Sequence, residues 1–349
     1  MAYVLFIVSG FVLAFFSWLR PRYTRALGAV LLIFTIAFAG LRGDSMDYGQ
    51  YVIMFHNMHD SLLSYPARLY VGKDPLFGAL IIAIQSLGLG PQWLFLTAVA
   101  LALAAKARAF VDVFGAIVTP LFATICMTYF LHEFTQIRVA IALGFAFLAL
   151  VELCNGRKMR WVIYSIIAVG FHVSALALIP FELPLAFGMR TRMTWSLSGL
   201  SLVMLAAIGN FLSSFASYDG RVTVYIGDTG LTTHMLIVGT FKIAIVVFLS
   251  IYLTAKAAES PERKLLMQSC LLAVVGYVLM IIFMDRASGF AFRIYELFDA
   301  FSVFVIAAAF LRRSVPSWFG AFAYCAVLLI LLSTSALLLP YQLAPLSSY

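Results

Sequence analysis

A chain of 349 residues that is 64% hydrophobic, only 11% charged and of mean hydropathy +1.03 is far more apolar than a soluble domain of about half apolar content, which excludes a soluble globular enzyme. The formal charge of +8 does not read as a nucleic-acid surface, because no basic run is interleaved with stacking aromatics on a polar segment. Cys126, Cys154, Cys270 and Cys325 lie in or beside apolar windows without CxxC spacing, which supports neither zinc nor disulfides.

Residues 3–19 form the first apolar window, and Arg20, Arg22 and Arg25 follow it. That order suits an uncleaved first helix with its N-terminus outside. A second window covers 26–41, and the chain then reads "AGLRGDSMDYGQYVIMF", which crowds Arg42, Asp44 and Asp47 together ahead of Tyr48 and Tyr51. Residues 76–89 are apolar for about 14 positions before Gly90-Pro91, short of the about 20 a crossing needs. Counting them as a crossing would also put Lys106, Arg108, Arg157, Lys158 and Arg160 outside, against the positive-inside rule. They are therefore expected to form an outer juxtamembrane or re-entrant helix within a periplasmic loop, 42–91.

Windows at 92–110, 114–131 and 138–154 read as crossings, with Lys106 assigned to the inner side and His132 and Glu133 to the outer. Residues 161–187 are too long for one crossing and have basic residues at both flanks, so a hairpin of two short helices is expected, turning near Gly170, Phe171 and His172. Further windows follow at 193–212, 234–255, 264–284, 288–311 and 318–339. The expectation is an all-α polytopic membrane protein, one domain over 1–349, with about twelve crossings and both termini outside.

The charges left at outer depth are the candidate site. Arg293 stands about a turn and a half inside an apolar helix with Glu296 at i+3, at an insertion cost of roughly 2.5–3.5 kcal/mol near a helix centre. Arg286 lies seven residues earlier on the same face. Arg138 opens a helix, and its next 13 residues, 139–151, carry no charge. His172 falls at the predicted break, and Asp44 and Asp47 would share one side of a helical turn. Each has a structural reading: an Arg293–Glu296 pair, an arginine neutralised by Glu133, a histidine held by turn carbonyls, an aspartate in an ordinary ion pair.

Other motifs fail. "HEFTQ" lacks the second histidine of a zinc helix, and neither a P-loop nor a G-x-S-x-G elbow occurs. Without a nucleotide site, energy comes from an ion gradient or from an activated substrate delivered in the membrane. Converging arginines at outer depth suit a diphosphate, and a neighbouring carboxylate or histidine suits a base. The chemistry this suggests is glycosyl transfer from a polyprenyl diphosphate sugar to a hydroxyl. A transporter or flippase of lipid-linked oligosaccharide, motivated by Lys242 and Arg293, a single-addition glycosyltransferase or ligase, and a membrane O-acyltransferase with His172 as base are the alternatives.

Five stretches in order, "GLRGDSMDYGQYVIMF", "KDPLFGAL", "IRVAIALGFAFLAL", "FHVSALALIP" and "FRIYELFDAF", resemble segments of the EpsG family of exopolysaccharide and O-antigen polymerases, from about Leu41 to Phe301. Ser45-Met46 replaces that pattern's Gly-Thr, and Asp74 stands at its Glu. The resemblance implies a GT-C-like, Wzy-like polymerase joining undecaprenyl-diphosphate-linked oligosaccharide units at the periplasmic face of a bacterial inner membrane. No cofactor or metal is expected, and a chain-length regulator is a possible partner. Carried onto this chain, it marks Arg42, Asp47, Tyr48, Tyr51, Arg138, His172 and Arg293, and the roles we read for them put Arg42, Arg138 and Arg293, joined by Arg286, on the diphosphate. Asp47 or His172 would be the base, and Tyr48 and Tyr51 would face sugar.

Overall fold

The computed structural model describes residues 2–58, 74–189, 193–202, 233–255, 257–284, 288–312, 314–334 and 341–344. Among them every regular element is helical, and an isolated β-bridge joins Arg42 to Leu343. Contacts divide the chain into two compact units, 1–152 with 157–176 and 325–349, and 153–156 with 177–324.

The first unit holds α1 (Ala2–Leu19), α2 (Thr24–Gly40), α3 (Tyr48–Asn57), α4 (Pro75–Ser86), α5 (Pro91–Phe114), α6 (Val118–Thr124), most of α7 (Ile137–Cys154) and α8 (Lys158–Phe171). Prolines at the first helical position open α4 and α5, where a missing N–H costs nothing. With 12 residues, α4 rises only about 18 Å, well short of the about 30 Å hydrocarbon core. Its buried face, Phe77, Ile81 and Ile82, packs beside α8, where Gly170 makes room: a Cβ there would lie 2.7 Å from Leu76.

The window at 114–131 is not one regular helix. α6 runs into a π-helical stretch, Ile125–Tyr129, and turns occupy 130–135. Those turns carry Glu133 inward to a fully buried ion pair with Lys106, both side chains 0% exposed. This corrects the expected topology. Lys106 is no inner-face connector residue but lies within α5, and it cannot be on the opposite side of the membrane from the carboxylate it touches.

The second unit holds α9 (Ile179–Ala186), α10 (193–202), α11 (Thr233–Thr254), α12 (Pro261–Phe283), α13 (Ser288–Asp299), α14 (Ser302–Leu311) and the first half of α15 (Val315–Thr334). Ser260 caps α12 by accepting the Arg263 N–H at 3.1 Å, with Pro261 next. The expected helix 288–311 is interrupted at Ala300–Phe301. At the interruption Asp299 takes the Lys242 ammonium at 2.6 Å, the Ser302 hydroxyl at 2.9 Å and the Tyr324 hydroxyl at 3.2 Å. A buried charge pair whose other lone pairs are also filled is the form a low-dielectric interior tolerates.

By length and composition, six helices among the described residues can cross a membrane: Ala2–Leu19, Pro91–Phe114, Ile137–Cys154, Leu236–Thr254, Pro261–Phe283 and the interrupted Gly289–Leu311. Four shorter apolar helices accompany them. The chain is a multi-pass membrane protein. The four cysteines are free and buried.

Candidate functional site

The break expected near Gly170, Phe171 and His172 is present. α8 ends at Phe171, His172 is extended (φ −157°, ψ 118°), and a 3₁₀ stretch, Val173–Leu178, follows. What the break meets is Asp74, at the N-cap position of α4. An aspartate there ordinarily accepts from its own helix, but this one makes no such bond. Its carboxylate is directed to the 170s instead: Oδ1 accepts the Val173 N–H at 3.1 Å, and His172 Nδ1 lies 3.2 Å from Oδ1 and 3.3 Å from Oδ2.

Arg138, at the start of α7, closes the group. Its Nη1 donates to Asp74 Oδ2 at 2.5 Å, and its guanidinium stands 5.7 Å from the Tyr51 ring and 5.9 Å from the Phe77 ring. Asp74 is 4% exposed, whereas Arg138 is 28% and His172 21% exposed, so the carboxylate is the buried pivot and the two basic groups reach outward from it. Arg138 Nε is buried and has no hydrogen-bond partner among the described residues.

Burial pushes the Asp74 carboxyl up. The hydrogen bond and charge of His172, the charge of Arg138 and the Val173 amide outweigh it and hold the group below the usual carboxylate range. An ionised Asp74 beside Nδ1 favours the tautomer with the proton on Nδ1, leaving Nε2 as the acceptor. A histidine fixed this way can take a proton, and an arginine with an unpartnered Nε can bind an anion.

The structure thus brings together three of the residues singled out from the sequence, Arg138, His172 and Tyr51. Asp47 is part-buried, one turn before Tyr51, and its charge acts on the Tyr51 hydroxyl. Tyr48 stacks on Phe95 at 4.6 Å and donates its hydroxyl to Gln92 at 3.1 Å. Arg42 is 0% exposed, between the Phe95 and Phe134 rings at 4.8 and 5.1 Å. Arg293 is exposed on α13 in the second unit, and Arg286 lies outside the described residues.

The residue without an assigned role in the sequence is Asp74. Its signal was local, a carboxylate directly before a helix-opening proline, but nothing local says that it spends its oxygens 98 residues away. No group of three or more His, Cys, Asp or Glu among the described residues is placed to hold a metal ion.

No curated protein and no solved structure matches the chain. The model of the EpsG family matches residues 25–343, nearly the whole length, and takes in every element of the site just described. The chain therefore belongs to the EpsG family, Wzy-like polysaccharide polymerases of membranes.

Proposed function

We propose that the protein polymerises undecaprenyl-diphosphate-linked oligosaccharide units at the periplasmic face of a bacterial inner membrane, as an O-antigen or exopolysaccharide polymerase. The observation that carries this reading is the Asp74–His172–Arg138 group, a histidine oriented by a buried carboxylate beside an arginine whose Nε has no partner among the described residues, in a chain of this family. A GT-C-like arrangement of about twelve crossings is the architecture we infer for it.

In the proposed reaction His172 Nε2 takes the proton of an acceptor sugar hydroxyl as its oxygen attacks the anomeric carbon of the lipid-linked chain. A new glycosidic C–O bond forms and the C–O bond to the diphosphate breaks. Undecaprenyl diphosphate leaves with the bonding electrons, and charge-assisted hydrogen bonds from Arg138 stabilise the charge that develops on it. Asp74 holds the imidazole and balances the imidazolium. Tyr51, 5% exposed, packs its ring beside Arg138 and steadies the guanidinium.

The test is polymer length in membranes carrying His172→Gln or Arg138→Ala, with protein levels matched. Loss of the ladder supports the reading. Normal long-chain polymer in both variants would sink it, and one added unit would select a ligase.

A further inference from the structure

Arg42 is an electrostatic anomaly. Its side chain is 0% exposed, Nη1 donates to the carbonyl of Ala39, Nε reaches Ser45 Oγ at 3.3 Å, and Nη2 has no partner among the described residues. Burial pushes the guanidinium down to about 10, and the groups that oppose this are the tyrosines 129, 51, 48 and 341, with no carboxylate among them. Arg138 and Lys242 by contrast each carry an aspartate, and Lys106 a glutamate. A fully buried guanidinium with an unpartnered nitrogen and no carboxylate paired with it among the described residues is suited to take an anion.

Over Arg42 lies the segment 341–344. Gly43 N–H donates to Gln342 O at 2.6 Å and Ala344 N–H to Leu41 O at 3.0 Å, flanking the Arg42–Leu343 bridge. Tyr341 donates to Phe38 O at 2.9 Å and stacks on the Phe38 ring at 4.4 Å. The fit is close at Gly43, where a Cβ would meet Ala344 N and Leu343 C at 3.3 Å. Yet Leu343 is 71% exposed, so the segment buries little beyond Tyr341. A two-stranded pair of this size is marginal by itself, which makes it the part of the enclosure that opens at least cost.

We propose that residues 341–344 are a strap closing an anion site at Arg42, and that the group admitted when the strap lifts is a phosphate. The ligand class rests on the proposed function. The site would hold one phosphate through Nη2 and Nε, with the hydroxyls of Ser45 and Tyr48 within the same group of residues. Tyr51, whose ring lies beside Arg138 and whose hydroxyl acts on Arg42, links it to the Asp74–His172–Arg138 group.

The experiment uses the full chain in lipid nanodiscs, with Leu41→Cys/Ala344→Cys to tie the strap down by a disulfide. Binding of undecaprenyl diphosphate should match wild type when the pair is reduced, fall at least tenfold on oxidation, and return with reductant. Equal binding in both states would overturn the proposal. Inorganic pyrophosphate is the second probe: if it binds and the lock excludes it, the site is for a phosphate group whatever carries it. If only the lipid binds, the lipid-linked source is selected.

A single thiol gives an independent reading should that pair fold poorly. Ser45→Cys should react with an anionic methanethiosulfonate at least tenfold faster when Gly43→Val crowds the strap, and an unchanged rate would count against the strap. Polymer synthesis is read on the same samples. A lock that blocks binding in a protein making no polymer would sink the proposed function and keep the strap. Equal polymer from locked and unlocked protein would do the reverse.

Discussion

His172 Nδ1 lies 3.2 Å from Asp74 Oδ1 although 98 residues separate them in the chain. The pair exists because each belongs to a helix end: α8 stops at Phe171, and α4 starts after Asp74. Asp74→Asn keeps the shape but replaces an acceptor with a mixed donor and acceptor, which destabilises the Nδ1–H tautomer. Polymerisation should fall by about 10²-fold, within the range for a positioned base, while protein level holds. His172→Ala should fall at least as far, and the double variant should be no worse than His172→Ala alone. Additive losses in initial rate would show that the two act separately.

The Asp74 carboxyl is held below its ordinary 3.8. A depressed carboxyl contributes stability that is complete above that ordinary value and is lost as pH falls through its lowered value in the folded protein. Wild-type protein in detergent should therefore lose thermal stability below about pH 3.8 in part through this group, and Asp74→Asn should show a flatter acid limb. Identical pH profiles of Tm for the two proteins would contradict the assignment.

Gly170 sets the distance between α8 and α4. A side chain there meets Leu76 at 2.7 Å, two residues from Asp74. Gly170→Val should push α4 away, lowering polymerisation more than tenfold, with a loss of stability of about 1–3 kcal/mol for overpacking. Leu76→Ala in the same protein should restore part of the activity by vacating the space. A failure of rescue, measured as polymer length and Tm together, would place the effect elsewhere.

Lys106 and Glu133 form a pair with no solvent exposure, and Glu133 Oε2 has no hydrogen-bond partner among the described residues. Removing one member strands the other. Lys106→Met or Glu133→Gln alone should cost about 3–5 kcal/mol, read as a large fall in Tm and in membrane yield. Lys106→Met/Glu133→Leu should recover most of that loss, because a packed apolar pair replaces two desolvated charges. A double variant as unstable as either single one would mean that the charges do more than neutralise each other.

Much of the outline was legible in the sequence, for a physical reason. Hydrocarbon has no water to satisfy backbone groups, so long apolar runs must be helices, and the break at Gly170-Phe171-His172 follows from a run too long for one crossing with basic residues at both ends. Short-range order also marked Arg138, His172 and Tyr51, each at or near a helix end facing a polar stretch. The inner position of Lys106 was misread because charge counting treats every lysine near a helix end as solvated. It has no means of seeing that the turns at 130–135 bring a carboxylate to it.

Partnership between charges was what only the tertiary structure decided. Asp47, in the richest local cluster, neighbours Tyr51, while Asp74, alone before its proline, orients His172 and pairs with Arg138. Arg42 resembled the other arginines in the sequence, and its environment sets it apart as buried, ringed by tyrosines and covered by residues 341–344 from 300 positions away. Composition and periodicity fix which residues are helical and lipid-compatible, since those depend on near neighbours. Which carboxylate meets which cation depends on packing between helices distant in the chain, and there the low dielectric makes every such meeting energetically decisive.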